Sequence, residues 1–269
     1  MGNDRMEPYP GRKSNTVEAK PRHILKFVLL GVIIALLFLA GRLFCKEKCK
    51  EPLEANNMTG KLALLVDATD EIPSKYLHSL ESYLEELLRE LPNPTYVRIY
   101  TIDSDPDSCK CAPGPWRKWV SWICGDKRDL DKFVADVIDS TKAKLRGEPA
   151  DSTPLLERLS KVSRAEFSNS ENSKRRNELW IISDMLQLSD KCSFYGDSEC
   201  IDPEWVLDHE DFEVEWESKL SGVKVKIFRI PRGGGPPNGI PKPEELMHFW
   251  ETFVRDARNG AESVEWFDL

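Results

Sequence analysis

From residue 61 onward the chain alternates between short apolar runs and longer stretches with an apolar period near 3.6. Leu62, Ala63, Leu64, Leu65 and Val66 are a continuous apolar run, the pattern of a strand buried on both faces. Residues 74–91 place Tyr76, Leu77, Leu80, Tyr83, Leu84, Leu87, Leu88 and Leu91 on one helical face, which predicts a strong amphipathic helix. The Pro92-Asn93-Pro94 triplet ends it. Residues 95–103 read as a second strand, 104–127 as an insertion and 130–145 as a helix with Phe133, Val134, Val137 and Ile138 inward. A further helix starts near Thr153 with Leu155, Leu156, Leu159 and Val162 on its face. Residues 178–184 form another buried strand, 190–203 a cysteine-bracketed loop and 204–220 an acidic helix. Residues 223–230 are a strand, 231–243 a Gly- and Pro-rich loop, 243–258 a helix and 263–269 a last edge strand. Strands alternating with helices predict an α/β fold: a doubly wound, mostly parallel sheet with helices on both faces. There is no internal repeat.

Before residue 61 the pattern changes. Residues 27–41 carry no charge, and residues 24–44 supply 21 residues with Lys26 and Arg42 near the ends. A bilayer core takes about 20 helical residues, and end charges can snorkel to the interface. A cleaved signal peptide is the competing reading. Phe38 spoils a small-x-small site ending at Ala40, and Arg42-Leu43-Phe44 is no lipobox before Cys45. The expected organisation is a disordered basic tail (1–22), a transmembrane helix (23–44), a stalk (45–60) and a domain (61–269) with insertions near 104–127 and 190–203.

Charge supports that division. Of the net −8, residues 1–44 hold seven Lys/Arg against three Asp/Glu, and residues 45–269 hold 31 against 43, a net −12. An acidic body excludes the basic footprint of a nucleic-acid binder. Six Lys/Arg precede the apolar segment and five follow within about 20 residues, so the charge bias does not orient it. All seven cysteines (45, 49, 109, 111, 124, 192 and 200) follow the segment. Cys192 and Cys200 bracket a short polar loop, and cysteine pairs that close loops suit an oxidising compartment. The expected location is a single-pass membrane protein with an extracytoplasmic domain, periplasmic if the source is bacterial. The odd count leaves at least one thiol free or intermolecular, and the spacings lack the paired C-x2-C sets of a zinc site.

In parallel sheets ligands bind at the carboxyl ends of the strands. There the first strand runs into Asp67, Thr69, Asp70 and Glu71, and the 178–184 strand ends at Asp184. Between them, Ser152-Thr153-Pro154-Leu155 opens a helix. Carboxylates and hydroxyls from three loops make an oxygen-only site for a hard cation, and Mg²⁺ suits that chemistry. Helix capping and loop hydrogen bonding account for the same residues without a metal, with Thr153 as N-cap and Pro154 in the first turn.

The three pieces "LLVDATDE", "DSTPLLERL" and "LWIISDM" resemble the von Willebrand factor A (vWA) domain family, in order, approximate spacing and α/β alternation. The resemblance covers residues 61–269. It implies a metal-ion-dependent adhesion site in which Asp67, Thr69, Thr153 and Asp184 surround a divalent cation, and a partner's carboxylate often completes the shell. The departure is Glu71, where the family has its second serine. A carboxylate there either ligates the metal itself or points away and cripples the site.

Other features carry less. Trp116, Trp119 and Trp122 with Arg117 and Lys118 are either a partner-binding patch or a small cap held by a disulfide among Cys109, Cys111 and Cys124. His209 lies among carboxylates that read as a solvated helix face. The Gly-rich loop lacks the Gly-Lys-Ser/Thr ending of a P-loop, and there is no G-x-S-x-G elbow and no H-E-x-x-H. The expectation is a non-enzymatic, membrane-anchored interaction module for a protein partner, Mg²⁺-assisted at the rim. The alternatives are a Mg²⁺-dependent phosphate-ester hydrolase using the same acids, and a metal-free scaffold subunit of a membrane complex.

Overall fold

The computed structural model describes residues 59–69, 72–92, 94–102, 116–118, 127–146, 151–168, 175–196, 200–208, 219–231, 240–256 and 260–269, with 116–118 and 127–129 as backbone. The expected tail and transmembrane helix lie outside these residues, as does the stalk up to residue 58. Among the described residues no helix is long and apolar enough to cross a membrane.

The apolar runs are strands: β1 (Gly60–Asp67), β2 (Thr95–Ile102), β4 (Arg176–Ser183) and β5 (Val223–Arg229), with β6 (Ser263–Asp268) last. The periodic stretches are helices: α1 (Ser74–Glu90), α2 (Lys127–Lys144), α3 (Leu155–Phe167), α4 (Pro203–Asp208) and α5 (Pro243–Arg255). A three-residue strand, β3 (Trp116–Lys118), falls within the stretch expected to be an insertion. The sheet order is β3-β2-β1-β4-β5-β6. Five strands are parallel, and β3 closes one edge by antiparallel pairing with β2. The acidic 204–220 helix is helical through Asp208; residues 209–218, His209 among them, lie outside the described part. The last helix stops at Arg255, short of the expected residue 258.

Side-chain alternation divides the interior in two. Leu62, Leu64 and Val66 of β1 face α1 and α2, meeting Leu80, Leu84, Leu88, Phe133 and Val137. Ala63 and Leu65 face α3 and α5, meeting Leu155, Leu159, Phe249, Trp250 and Phe253. Both faces of β1 and β4 are therefore covered, which is why their sequences read as unbroken apolar runs. At the start of β1, a Cβ on Gly60 would come within 2.5 Å of Thr95 Oγ1 and 2.6 Å of Pro92 Cγ, so the backbone passes where only glycine fits.

Near the amino ends of the strands two buried carboxylates hold ion-pair clusters. Glu166 accepts from Lys61 Nζ at 2.6 Å, from Arg98 at 3.0 Å and from the Tyr100 hydroxyl. Glu178 accepts from Arg176 Nε at 2.6 Å and Trp180 Nε1 at 2.8 Å, with Lys226 Nζ at 3.6 Å.

Two expectations follow. Leu64 is fully buried, so Leu64→Ala costs about 3 kcal/mol in urea denaturation. Burial, reinforced by the bond to Glu166, pushes the Tyr100 phenol above its ordinary value. The folded protein keeps a proton that the unfolded chain releases near pH 10. The resulting stability is fully present below about pH 10 and is lost as pH rises toward the raised folded value. Tyr100→Phe therefore flattens the fall in stability measured by urea denaturation between about pH 9 and 11.

Candidate functional site

The strand order reverses direction between β1 and β4, which are neighbours in the sheet. Crevices at the carboxyl ends of strands flanking such a switch point are where α/β sheets take ligands. The parallel register sets Val66 beside Ile182, so the next residues, Asp67 and Ser183, end the two strands side by side.

Asp67 points to the α3 side of the sheet and is only 5% exposed. A buried carboxylate must be hydrogen-bonded, and the rim loops supply the donors. Thr69 gives its backbone N–H at 3.0 Å and its hydroxyl at 2.6 Å, both to Asp67 Oδ1. Ser183 gives its hydroxyl to Oδ2 at 2.7 Å. The Thr69 and Thr153 hydroxyls are 2.7 Å apart; with the Thr69 proton on Asp67, Thr153 donates to Thr69 Oγ1. Asp67, Thr69 and Thr153 therefore form one continuous chain of oxygens drawn from the loop after β1 and the turn before α3.

Thr153 does not cap α3. The helix begins at Leu155 without a side-chain cap from its own N-cap position. Its orphan Leu156 N–H is taken by Gln187 Oε1 at 2.9 Å, and this leaves the Thr153 hydroxyl for the rim. Asp184 sits one residue beyond β4, half-buried, with Oδ1 accepting the Leu186 N–H at 2.9 Å. The alternative reading of the rim acids as loop-stabilising groups is thus realised at Asp67 and Asp184. Glu71 and Asp70 lie outside the described residues. So do Trp119 and Trp122, while Trp116 is described only as backbone in β3.

Sequence reasoning missed Ser183 and Gln187. Ser183 had a signal: a small polar residue closing an apolar strand, on the parity that faces Asp67. Met185, next along, has φ 67°. That left-handed turn costs a non-glycine residue about 1–2 kcal/mol. It lets the Met185 N–H reach Ser183 Oγ at 2.9 Å, while Met185 O accepts from Trp250 Nε1 at 2.9 Å.

Among the described residues no three acidic, histidine or cysteine side chains gather as a metal cluster. The donor set is two hydroxyls against one central carboxylate, with Asp184 at the same rim. An octahedral Mg²⁺ with oxygens at about 2.1 Å has adjacent ligands about 3 Å apart. The 2.7 Å between the two threonine hydroxyls is an ordinary O–H···O hydrogen-bond length that also lies close to that edge, so this pair of hydroxyls is compatible with a hard cation. Thr69→Val keeps the shape and removes the hydroxyl shared by Asp67 and Thr153. It is expected to cost about 1–3 kcal/mol in metal-free buffer, measured by urea denaturation.

No protein-family model matches the chain, and no curated protein sequence does. Among solved structures it is similar to an aerotolerance-related membrane protein from Bacteroides fragilis, at 10% identity over 77% of this chain and 91% of that one, with a TM-score of 0.39. It is similar to manganese-loaded TRAP protein from Plasmodium vivax, at 14% identity over 79% and 69%, with a TM-score of 0.38. It is also similar to the VWA domain of SpRpn10, at 10% identity over 78% and 88%, with a TM-score of 0.34. TM-scores this low carry no argument about the chain. What the chain itself shows is a doubly wound α/β sheet whose switch point holds Asp67 at the end of the central strand, with Thr69 and Thr153 joined beside it.

Proposed function

We propose that the chain is a membrane-anchored vWA-like interaction module, held by residues 24–44 and facing the extracytoplasmic side. It captures a protein partner at the rim formed by Asp67, Thr69, Thr153 and Asp184. The observation that carries this reading is the 2.7 Å approach of the Thr69 and Thr153 hydroxyls over the Asp67 carboxylate. Two loops separated by 84 residues bring hydroxyls together beside a nearly buried anion at a switch point. Thr69 and Thr153 would hold the cation by their hydroxyls, and Asp67 and Asp184 would hold it directly or through water, with Glu71 as a further ligand or modulator. Mg²⁺ suits the all-oxygen set. Its contribution is a positive point on a body whose net charge is −12, where a carboxylate-bearing partner otherwise meets repulsion. The paired Cys192 and Cys200 support an oxidising compartment.

The geometry favours this over a hydrolase with Asp67 as nucleophile. Oδ1 of Asp67 accepts from the Thr69 N–H and hydroxyl, Oδ2 accepts from the Ser183 hydroxyl, and the side chain is almost out of solvent. A nucleophilic oxygen needs an open lone pair facing the substrate.

Calorimetric titration of the full-length chain in detergent with Mn²⁺ and Mg²⁺ tests the reading. Wild type is expected to bind one ion and to melt higher as the ion saturates it, by about 2.7 kcal/mol at a hundredfold excess over Kd. Asp67→Ala and Asp184→Ala are expected to lose both effects. A wild-type chain without binding, or variants that bind as well as wild type, would sink the cation role.

A further inference from the structure

The hydroxyl of Thr153 reaches the rim because a segment beyond β4 holds it there. Its backbone is paired in both directions with Leu188: Thr153 N–H to Leu188 O at 2.7 Å, and Leu188 N–H to Thr153 O at 3.0 Å. Leu188 is itself bridged to Ser193 on the returning strand of a tight reversal. That reversal is closed by Ser189 N–H to Cys192 O and Phe194 N–H to Gln187 O, both 2.9 Å. Gln187, fully buried, works from the same segment. Its Oε1 caps α3 at Leu156, and its Nε2 donates to Glu157 Oε2 at 3.1 Å and Ser189 Oγ at 3.0 Å. Residues 187–194 thus grip the start of α3 by backbone on one side of Thr153 and by side chain on the other.

What anchors the grip is a covalent bond. Cys192, two residues before Phe194, is joined to Cys200, with Cα atoms 5.7 Å apart. Both cysteines are buried in the layer that contains α5, and Phe194 packs on Phe249 and Trp250 at ring distances of 4.8 and 6.2 Å. Beyond Cys200, Asp202 Oδ1 caps α4 through Glu204 N–H at 2.9 Å. The disulfide therefore ties the reversal to a helix end, and the reversal ties Thr153 to the rim.

We propose that the Cys192–Cys200 disulfide is a redox control on the rim, and that opening it frees Thr153 from its position beside Thr69. The proposal rests on the reading of Thr153 as a rim ligand. A dithiol supplies the two electrons: the Cys192–Cys200 bond breaks, the two sulfurs leave as thiols with two protons, and the dithiol closes to its own disulfide. The reversal then keeps its hydrogen bonds and the packing of Phe194 but loses its covalent tie to α4, and the pairing of Thr153 with Leu188 opens locally while the sheet stays folded.

The test is amide hydrogen exchange on the full-length chain, oxidised, after dithiothreitol treatment, and as a Cys192→Ala/Cys200→Ala variant that needs no reductant access. Amides of Thr153, Leu156 and Leu188 are expected to exchange at least about tenfold faster in the reduced and variant proteins, with β1 amides unchanged. Equal exchange in all three proteins would overturn the proposal, as would an acceleration as large in β1 as at Thr153. Mn²⁺ titration separates the two readings. If the oxidised chain binds no Mn²⁺, the cation role fails and exchange alone decides the clamp. If it binds Mn²⁺ with the same affinity as the variant, the redox control is overturned.

Discussion

A carboxylate almost out of water at the end of the central strand sets the terms for the rim. Asp67 ends an apolar run that must be buried on both faces, so its side chain is carried inward with it. An anion so placed is tolerated only when donors surround it. The chain meets that demand from two directions: Thr69 from the loop that follows, and Ser183 from the neighbouring strand. Once Thr69 is spent on Asp67, its hydroxyl stands where Thr153 can join it. The rim is thus an outgrowth of the rule that lets β1 be central.

The loop after β4 shows how a sheet supports such a rim from its back. Met185 takes the left-handed turn, Ser183 Oγ accepts its N–H, and its carbonyl accepts from the indole N–H of Trp250. Trp250 is itself locked among Phe194, Phe249 and Phe253. Rim geometry is therefore tied to the packing of the α5 layer, and the strained turn is compensated by contacts that exist only in the folded state.

The pattern of apolar positions was enough to place β1, α1, β2, α2, α3, β4, β5 and α5, because each buries one stripe or two faces and writes that into the sequence. It failed where structure depends on partners distant in the chain. Trp116–Lys118 is too short and too polar to read as a strand, yet pairing with β2 makes it one. Thr153-Pro154 reads as a local helix cap, but the cap of α3 comes from Gln187, 31 residues away from the N–H it serves. Asp67 and Thr69 were legible from their place at the end of the first strand, and Thr153 from the turn that opens a helix. Ser183 was not singled out, since a serine closing a strand is common and only the parallel register gives it meaning.

Gly60 has a mechanical side. The chain preceding the domain enters the sheet there, at a point so tight that Thr95 and Pro92 leave no room for a side chain. Tension on that chain runs directly into β1, which is bonded along its length to β2 on one side and β4 on the other. Strands paired in parallel on both sides resist such a pull by shear, with many hydrogen bonds sharing the load at once instead of opening one by one. At the far end of the same eight-residue strand stands Asp67. A load hung on the rim and a tether at Thr59 would thus pull along one strand.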